Sequence, residues 1–367
     1  MQKQRGRAKK VFAAGNTGVG FYSLFQYIAG PDIQHVKIIK GGPGTGKSTL
    51  MGQIAEAVMD RGFSVELYHC ASDVGSLDGL VVPSLGVAFI DGMRPHLYDP
   101  LYPGAVDQIL NLGEYWNSTG IRAHKQDIMA SSVEGSRLFQ GAYRYLRAAR
   151  EIHENWADKI QRMQDWGWVN QQSSQLFKAI MGTKSVADQP GRERHLFASA
   201  ITPEGPKSYL ESLTGPATEI FVVKGAPGSG KSTLLQKIAM AAIERGYSVE
   251  SYHHPINPDK LQHVLLPELD VFIATSTELF SYGPANASST INLDYGLSQD
   301  KMVRQRVELE TDRQTFLQIL NTAVQMIKRA RDAHIEVEGY YGANMDFAAL
   351  DGLRAKLLEQ ILGDATT

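Results

Sequence analysis

Two lysines, Lys47 and Lys231, each stand in a run of glycines and hydroxyl side chains whose spacing suits a phosphate group. The first run is Gly41-Gly42-Pro43-Gly44-Thr45-Gly46-Lys47-Ser48-Thr49. The second is Gly225-Ala226-Pro227-Gly228-Ser229-Gly230-Lys231-Ser232-Thr233. Both fit the pattern G-x-x-x-x-G-K-[ST]. In that pattern glycines let the main chain wrap a phosphate with no Cβ in the way, and the lysine reaches the β- and γ-phosphates. The hydroxyl after the lysine ligates Mg²⁺. A nucleoside triphosphate with Mg²⁺ is therefore expected at both loops, with Ser48 and Ser232 as hydroxyl ligands of the ion.

Such a loop works only where something presents it. Residues 36–39 form an apolar, β-branched run before the first loop, and residues 220–223 do the same before the second. After the first loop Leu50, Ile54 and Val58 fall on one helical face, with Gly62 as the stop. Each loop thus joins a strand to a helix N-terminus, where free N–H groups and the helix dipole both favour phosphate.

Phosphoryl chemistry also needs an acid near the Mg²⁺ shell. Asp91 ends the apolar run Val87-Ala88-Phe89-Ile90 and is the candidate for the metal shell, a role favoured here over the turn former that Gly92 would suggest. Gly92 stands where many ATPases place a water-positioning glutamate, so that group must come from elsewhere. His96, Asp99 and Asp73 are the nearby candidates, and each also reads as part of a polar loop. Arg94 would serve a phosphate or a surface ion pair. His69-Cys70 lacks the spaced pairs of a zinc site. The GTPase signal [NT]-K-x-D is absent, the nearest string being His124-Lys125-Gln126-Asp127, so ATP is expected rather than GTP.

Composition sets the class. Hydrophobic residues make up 43% and charged residues 21%, as in a globular protein, and a net charge of −2 gives no global basic field for nucleic acid. No run approaches the roughly 20 apolar residues of a membrane span. The basic first ten residues are expected to be a tail rather than a nucleic-acid arm. Cys70 is the single cysteine, which fits a reducing compartment, and a cytoplasmic location is expected.

The loops begin 184 residues apart, and that offset holds beyond them. Arg61-Gly62 matches Arg245-Gly246, Tyr68-His69 matches Tyr252-His253, and Pro83 matches Pro267. Upstream, Phe12 and Thr17 answer Phe197 and Thr202; downstream, at an offset of 181, Ala149, Arg150 and Asp165 answer Ala330, Arg331 and Asp346. The chain is an internal duplication with domains expected at 1–183 and 184–367, joined by a linker at 182–194. Within each copy, strands at 64–69 and 86–90, or 248–253 and 269–274, alternate with helical pattern. This predicts an α/β fold with a mostly parallel sheet, followed by a helical segment at 126–181 or 302–362. The stripe Tyr143, Leu146, Ile152, Trp156 and Ile160 reads as helix core.

These residues resemble the P-loop NTPase superfamily, and the paired loops are similar to a bacterial family of tandem P-loop ATPases. The resemblance rests on the two loops, the Tyr-His pairs, Asp91-Gly92, Pro95-His96 and Asp99-Pro100, and spans most of the chain. It implies ATP binding and hydrolysis, and leaves the substrate open. Three activities remain: an ATPase acting on a macromolecular partner, a small-molecule or nucleotide kinase, and a nucleotide sensor with negligible turnover. At offset 184 the groups that would run chemistry diverge: Asp91 faces Thr275, Asp73 faces Asn257, His96 faces Phe280 and Asp99 faces Gly283. Hydrolysis is expected at the first site, through Lys47, Asp91, His96 and Asp99, and binding alone at the second.

Overall fold

Apolar, β-branched runs set the central strands of this chain, residues 36–39 and 220–223 among them. The computed structural model describes residues 4–363. The first copy opens with β1 (Ala8–Val11), β2 (Ala14–Thr17), β3 (Gly20–Ser23) and β4 (His35–Lys40), and the first loop then leads into α1 (Lys47–Met59). β5 (Val65–His69), β6 (Leu77–Val82), β7 (Val87–Asp91) and β8 (Asp107–Asn111) follow. Three helices close the copy: α2 (Ser118–Ala123), α3 (Lys125–Gln161) and α4 (Trp166–Met181). The second copy starts with β9 (Glu193–Leu196), β10 (Ser199–Thr202), β11 (Gly205–Ser208), β12 (Glu219–Lys224) and α5 (Lys231–Glu244). It ends with β13 (Val249–His253), β14 (Leu261–Leu266), β15 (Val271–Ser276), β16 (Ser289–Asn292), α6 (Gln299–Gly342) and α7 (Phe347–Gly363).

The chain is α/β, with two mixed sheets of mostly parallel strands. In the first, ordered β1-β5-β6-β7-β4-β8, the loop strand β4 lies between parallel partners β7 and β8, and β1 runs parallel to β5. β6 is antiparallel to both of its neighbours. The second sheet, β9-β13-β14-β15-β12-β16, has the same order and the same senses. β6 and β14 are strands that the pattern reading passed over. Asp78-Gly79 inside β6 looks like a turn, yet all six residues of that strand are buried. The basic N-terminus also differs from expectation. Residues 8–10 are strand, paired in register with Val65, Glu66 and Leu67, and Arg5 forms ion pairs with Glu56 and Asp60. Residues 1–3 of that segment lie outside the described residues.

Contacts divide the chain into two compact units that cut across the duplicated halves. The first comprises residues 1–14, 23–141 and 325–367, and the second 15–22 and 142–324. The first sheet is therefore joined by the end of α6 and by α7, and the second by the end of α3 and by α4. In the first unit Leu50, Ile54 and Val58 of α1 pack with Leu80, Val82 and Phe89, and Leu350, Leu357 and Ile361 of α7 enter the same core. In the second, Leu235 and Ile238 of α5 pack with Val264 and Ile273, and Val169, Leu176 and Ile180 of α4 join them. Burying each such aliphatic side chain stabilises the docked helix by roughly 1.5–3 kcal/mol before entropy is counted. Among the described residues no helix is long and apolar enough to cross a membrane.

Candidate functional site

At the carboxyl end of β4 the chain turns through Gly44 and Gly46, at φ 69° and 85°, both in the left-handed region that glycine allows without strain. Thr45 Oγ1 donates to Gly42 O at 2.7 Å and closes the loop on itself. Lys47, at the first position of α1, folds back so that Nζ donates to the Gly41 and Gly42 carbonyls at 3.0 and 2.8 Å. Ser48 Oγ accepts from the Leu77 N–H at 2.9 Å, tying the start of α1 to β6.

Asp91 meets this loop from the neighbouring strand. Its Oδ2 lies 3.6 Å from Lys47 Nζ, while Oδ1 accepts from the Met93 N–H at 2.9 Å. One carboxylate thus caps the turn, as the turn-former reading expects, and also faces the lysine. Burial pushes the Asp91 carboxyl up, an effect that Lys47 and the Met93 amide offset only in part.

Sequence reasoning missed Asp78. The β6–β7 ladder pairs Gly79 with Ile90, and its next step sets Asp78 opposite Asp91, where both side chains share a face of the sheet. Asp78 Oδ1 lies 3.5 Å from His96 Nε2, and its buried Oδ2 has no hydrogen-bond partner among the described residues. His96 is stacked on Phe25 with ring centroids 4.1 Å apart. Burial works against the imidazolium, but Asp78, through its charge and its hydrogen bond, and Asp91 outweigh it and leave the His96 pKa raised. The one available signal was an acid inside the apolar strand run Leu-Asp-Gly-Leu-Val-Val.

The remaining candidates lie elsewhere. Asp99 is 81% exposed and pairs with Lys40 Nζ at 3.2 Å, and the same ammonium donates to Gly92 O and Tyr98 O. Asp73 pairs with Arg331 of α6 at 2.9 Å and accepts from Ser76 Oγ. Lys47, Ser48, Asp91, Asp78 and His96 are thus drawn together, while Asp99 is held outward. Among the described residues no group of three or more His, Cys, Asp or Glu side chains is arranged to hold a metal. Mg²⁺ usually takes one or two carboxylates and keeps its waters, so Ser48, Asp91 and the unpaired oxygen of Asp78 form a donor set of the kind it accepts.

The second loop repeats the backbone. Gly228 and Gly230 have φ 80° and 104°, Lys231 Nζ donates to Gly225 O and Ala226 O at 2.6 and 2.7 Å, and Ser232 Oγ accepts from the Leu261 N–H at 3.1 Å. The side chains around it differ. A cavity of about 400 Å³ opens on the loop, lined among others by His153, Trp156, Trp166, Lys260, Gln262 and Thr275. Gln262 and Thr275, both buried, replace Asp78 and Asp91, and the buried Phe280 replaces His96. Burial pushes the Lys231 ammonium down to about 8, with Asp294 working in the opposite direction.

Each loop is backed by the helices its unit takes from the other copy. A Cβ on Gly44 would lie 2.4 Å from Glu338 O, and one on Gly228 would lie 2.1 Å from Ala157 O. Trp166 and Val169 line Gly230 as Phe347 and Leu350 line Gly46. Gly228→Ala combines a left-handed φ with a clash against backbone. It is expected to destabilise the second unit by at least about 2 kcal/mol. The control is Gly283→Ala, where a Cβ would meet nothing within 4 Å. Equal urea midpoints for the two variants would overturn this packing. No family model, curated protein or solved structure matches the chain.

Proposed function

We propose that the chain binds ATP at both loops and hydrolyses it at the first. The observation that carries this reading is the pairing of Lys47 with Asp91 at one glycine loop, with Asp78 beside Asp91, where the second loop keeps its lysine but has the neutral Gln262 and Thr275 in place of the two acids. Both loops belong to P-loop NTPase-like domains in this reading. Lys47 leaves its loop carbonyls for the β- and γ-phosphates, and the loop amides and the α1 N-terminus hold the rest of the polyphosphate. Mg²⁺ would be held by Ser48 and Asp91, with Asp78 beside them, and supplies charge neutralisation when bound. His96, fixed between Asp78 and Phe25, positions the attacking water. Hydrolysis of this kind depends mainly on positioning and preorganised charge, so Thr275 and Phe280 leave the second site a binding site. The single cysteine, Cys70, supports a cytoplasmic location.

Calorimetric titration of nucleotide-free chain with a non-hydrolysable ATP analogue in Mg²⁺ is expected to give two equivalents bound. One or none overturns the reading. Lys47→Ala and Lys231→Ala should each remove one equivalent.

A further inference from the structure

The backbone around the two loops repeats in three hydrogen bonds. Ser48 accepts from the Leu77 N–H as Ser232 does from Leu261, and Cys70 N donates to Ser76 O as His254 N does to Lys260 O. Ser76 N donates to Asp73 O as Lys260 N does to Asn257 O. Lys260 therefore occupies the place of Ser76, Asn257 that of Asp73, Gln262 that of Asp78 and Thr275 that of Asp91. Three carboxylates give way to neutral groups on an unchanged backbone, and a serine gives way to a lysine.

This donor set does not fit Mg²⁺, a hard cation that seeks carboxylate oxygen. Two acids line the second cavity, Glu278 and Asp294. Glu278 is held by Arg313 through two hydrogen bonds. Asp294 stands in the place of Gly113, on the turn after β16 rather than on the strands that carry Asp78 and Asp91, and its Oδ1 accepts from the Ala226 N–H of the loop itself at 2.8 Å. What the cavity offers instead is donors. Lys231 and Lys260 line it, and Gln262 has Nε2 and Oε1 both buried with no hydrogen-bond partner among the described residues. An unpaired buried amide is destabilising, and an acceptor on a ligand would relieve it.

We propose that the second site takes the polyphosphate of its nucleotide without a divalent cation, Lys260 standing in for the metal's charge and the Gln262 amide donating to the terminal phosphate. The proposal rests on the nucleotide reading of the second loop. Charge-assisted bonds from two ammonium groups and the loop amides then neutralise the polyphosphate. Such a site would stay filled when free Mg²⁺ falls, while the first site empties.

The test is titration of the nucleotide-free, unaltered chain with the non-hydrolysable ATP analogue in EDTA and in Mg²⁺. One equivalent is expected in EDTA and two in Mg²⁺, with the EDTA event lost in Lys231→Ala and kept in Lys47→Ala. Lys260→Ser, which restores the first site's residue, should weaken the EDTA event about tenfold or more. Two equivalents in Mg²⁺ but none in EDTA would overturn the proposal and leave the nucleotide reading intact. An EDTA event that follows Lys47, or that ignores Lys260, overturns it as well. No binding under either condition overturns both.

Discussion

Lys47→Ala is expected to lower steady-state ATP turnover by roughly 10²-fold or more, while Lys231→Ala keeps most of it. The two lysines are alike in the backbone: each is the first residue of its helix, and each donates to two carbonyls of its own loop. They differ in what stands opposite. Lys47 Nζ faces Asp91 at 3.6 Å, with Asp78 alongside, whereas the matching places near Lys231 hold Thr275 and Gln262. Asp91→Asn should therefore match Lys47→Ala in turnover while keeping analogue binding within a fewfold. The carboxylate's worth lies in the charge it organises during transfer, not in ground-state affinity. Asp78→Asn should fall between the two, because it leaves His96 stacked on Phe25 but removes the charge beside Nε2. Measuring kcat and KM for all four variants separates these effects. If Lys231→Ala abolishes turnover and Asp91→Asn retains it, hydrolysis belongs to the second loop.

The loops were legible because their chemistry is local: glycine supplies left-handed φ at Gly44, Gly46, Gly228 and Gly230, and lysine and serine sit at fixed spacing from them. Asp91 was legible for the same reason, as the polar end of an apolar strand. Asp78 was not, because its neighbour Gly79 makes the strand look like a turn, and only pairing with β7 sets it across from Asp91. Asp99 shows the opposite failure. Sequence placed it in the right segment, but Lys40, which also holds the Gly92 and Tyr98 carbonyls, draws its carboxylate away. The origin of the backing helices was beyond reach too. A stripe such as Leu146 and Ile160 tells that a helix face is buried, which it is, and never against which sheet.

Acidification is expected to destabilise the second unit selectively, through histidines that it buries uncharged. His263 of β14 is fully buried, its ring centroid 5.9 Å from that of Phe272, and burial pushes its pKa down to about 3. Its Nδ1 accepts from the Thr275 N–H at 3.1 Å, so a second ring proton would meet a donor. His153 is held down to about 4 by burial and by Lys260 and Lys231. A histidine whose folded pKa lies below its unfolded value near 6.5 contributes stability that is fully present above about pH 6.5. That stability is lost as the unfolded chain takes up protons toward the folded pKa. His263 alone is worth about 2 kcal/mol between about pH 6.5 and pH 5. His96 in the first unit has the opposite sign. Its pKa is raised, so its contribution is present below about pH 6.5 and fades as pH rises through the folded value. Hydrogen exchange between about pH 7.5 and pH 5, corrected for intrinsic rates, should show protection falling at β14 and β15 but not at β6 and β7. Imidazole NMR should find His263 neutral throughout that range. A His263 resonance that titrates near pH 6.5, or equal losses in both sheets, would show that this ring is not held uncharged by its site.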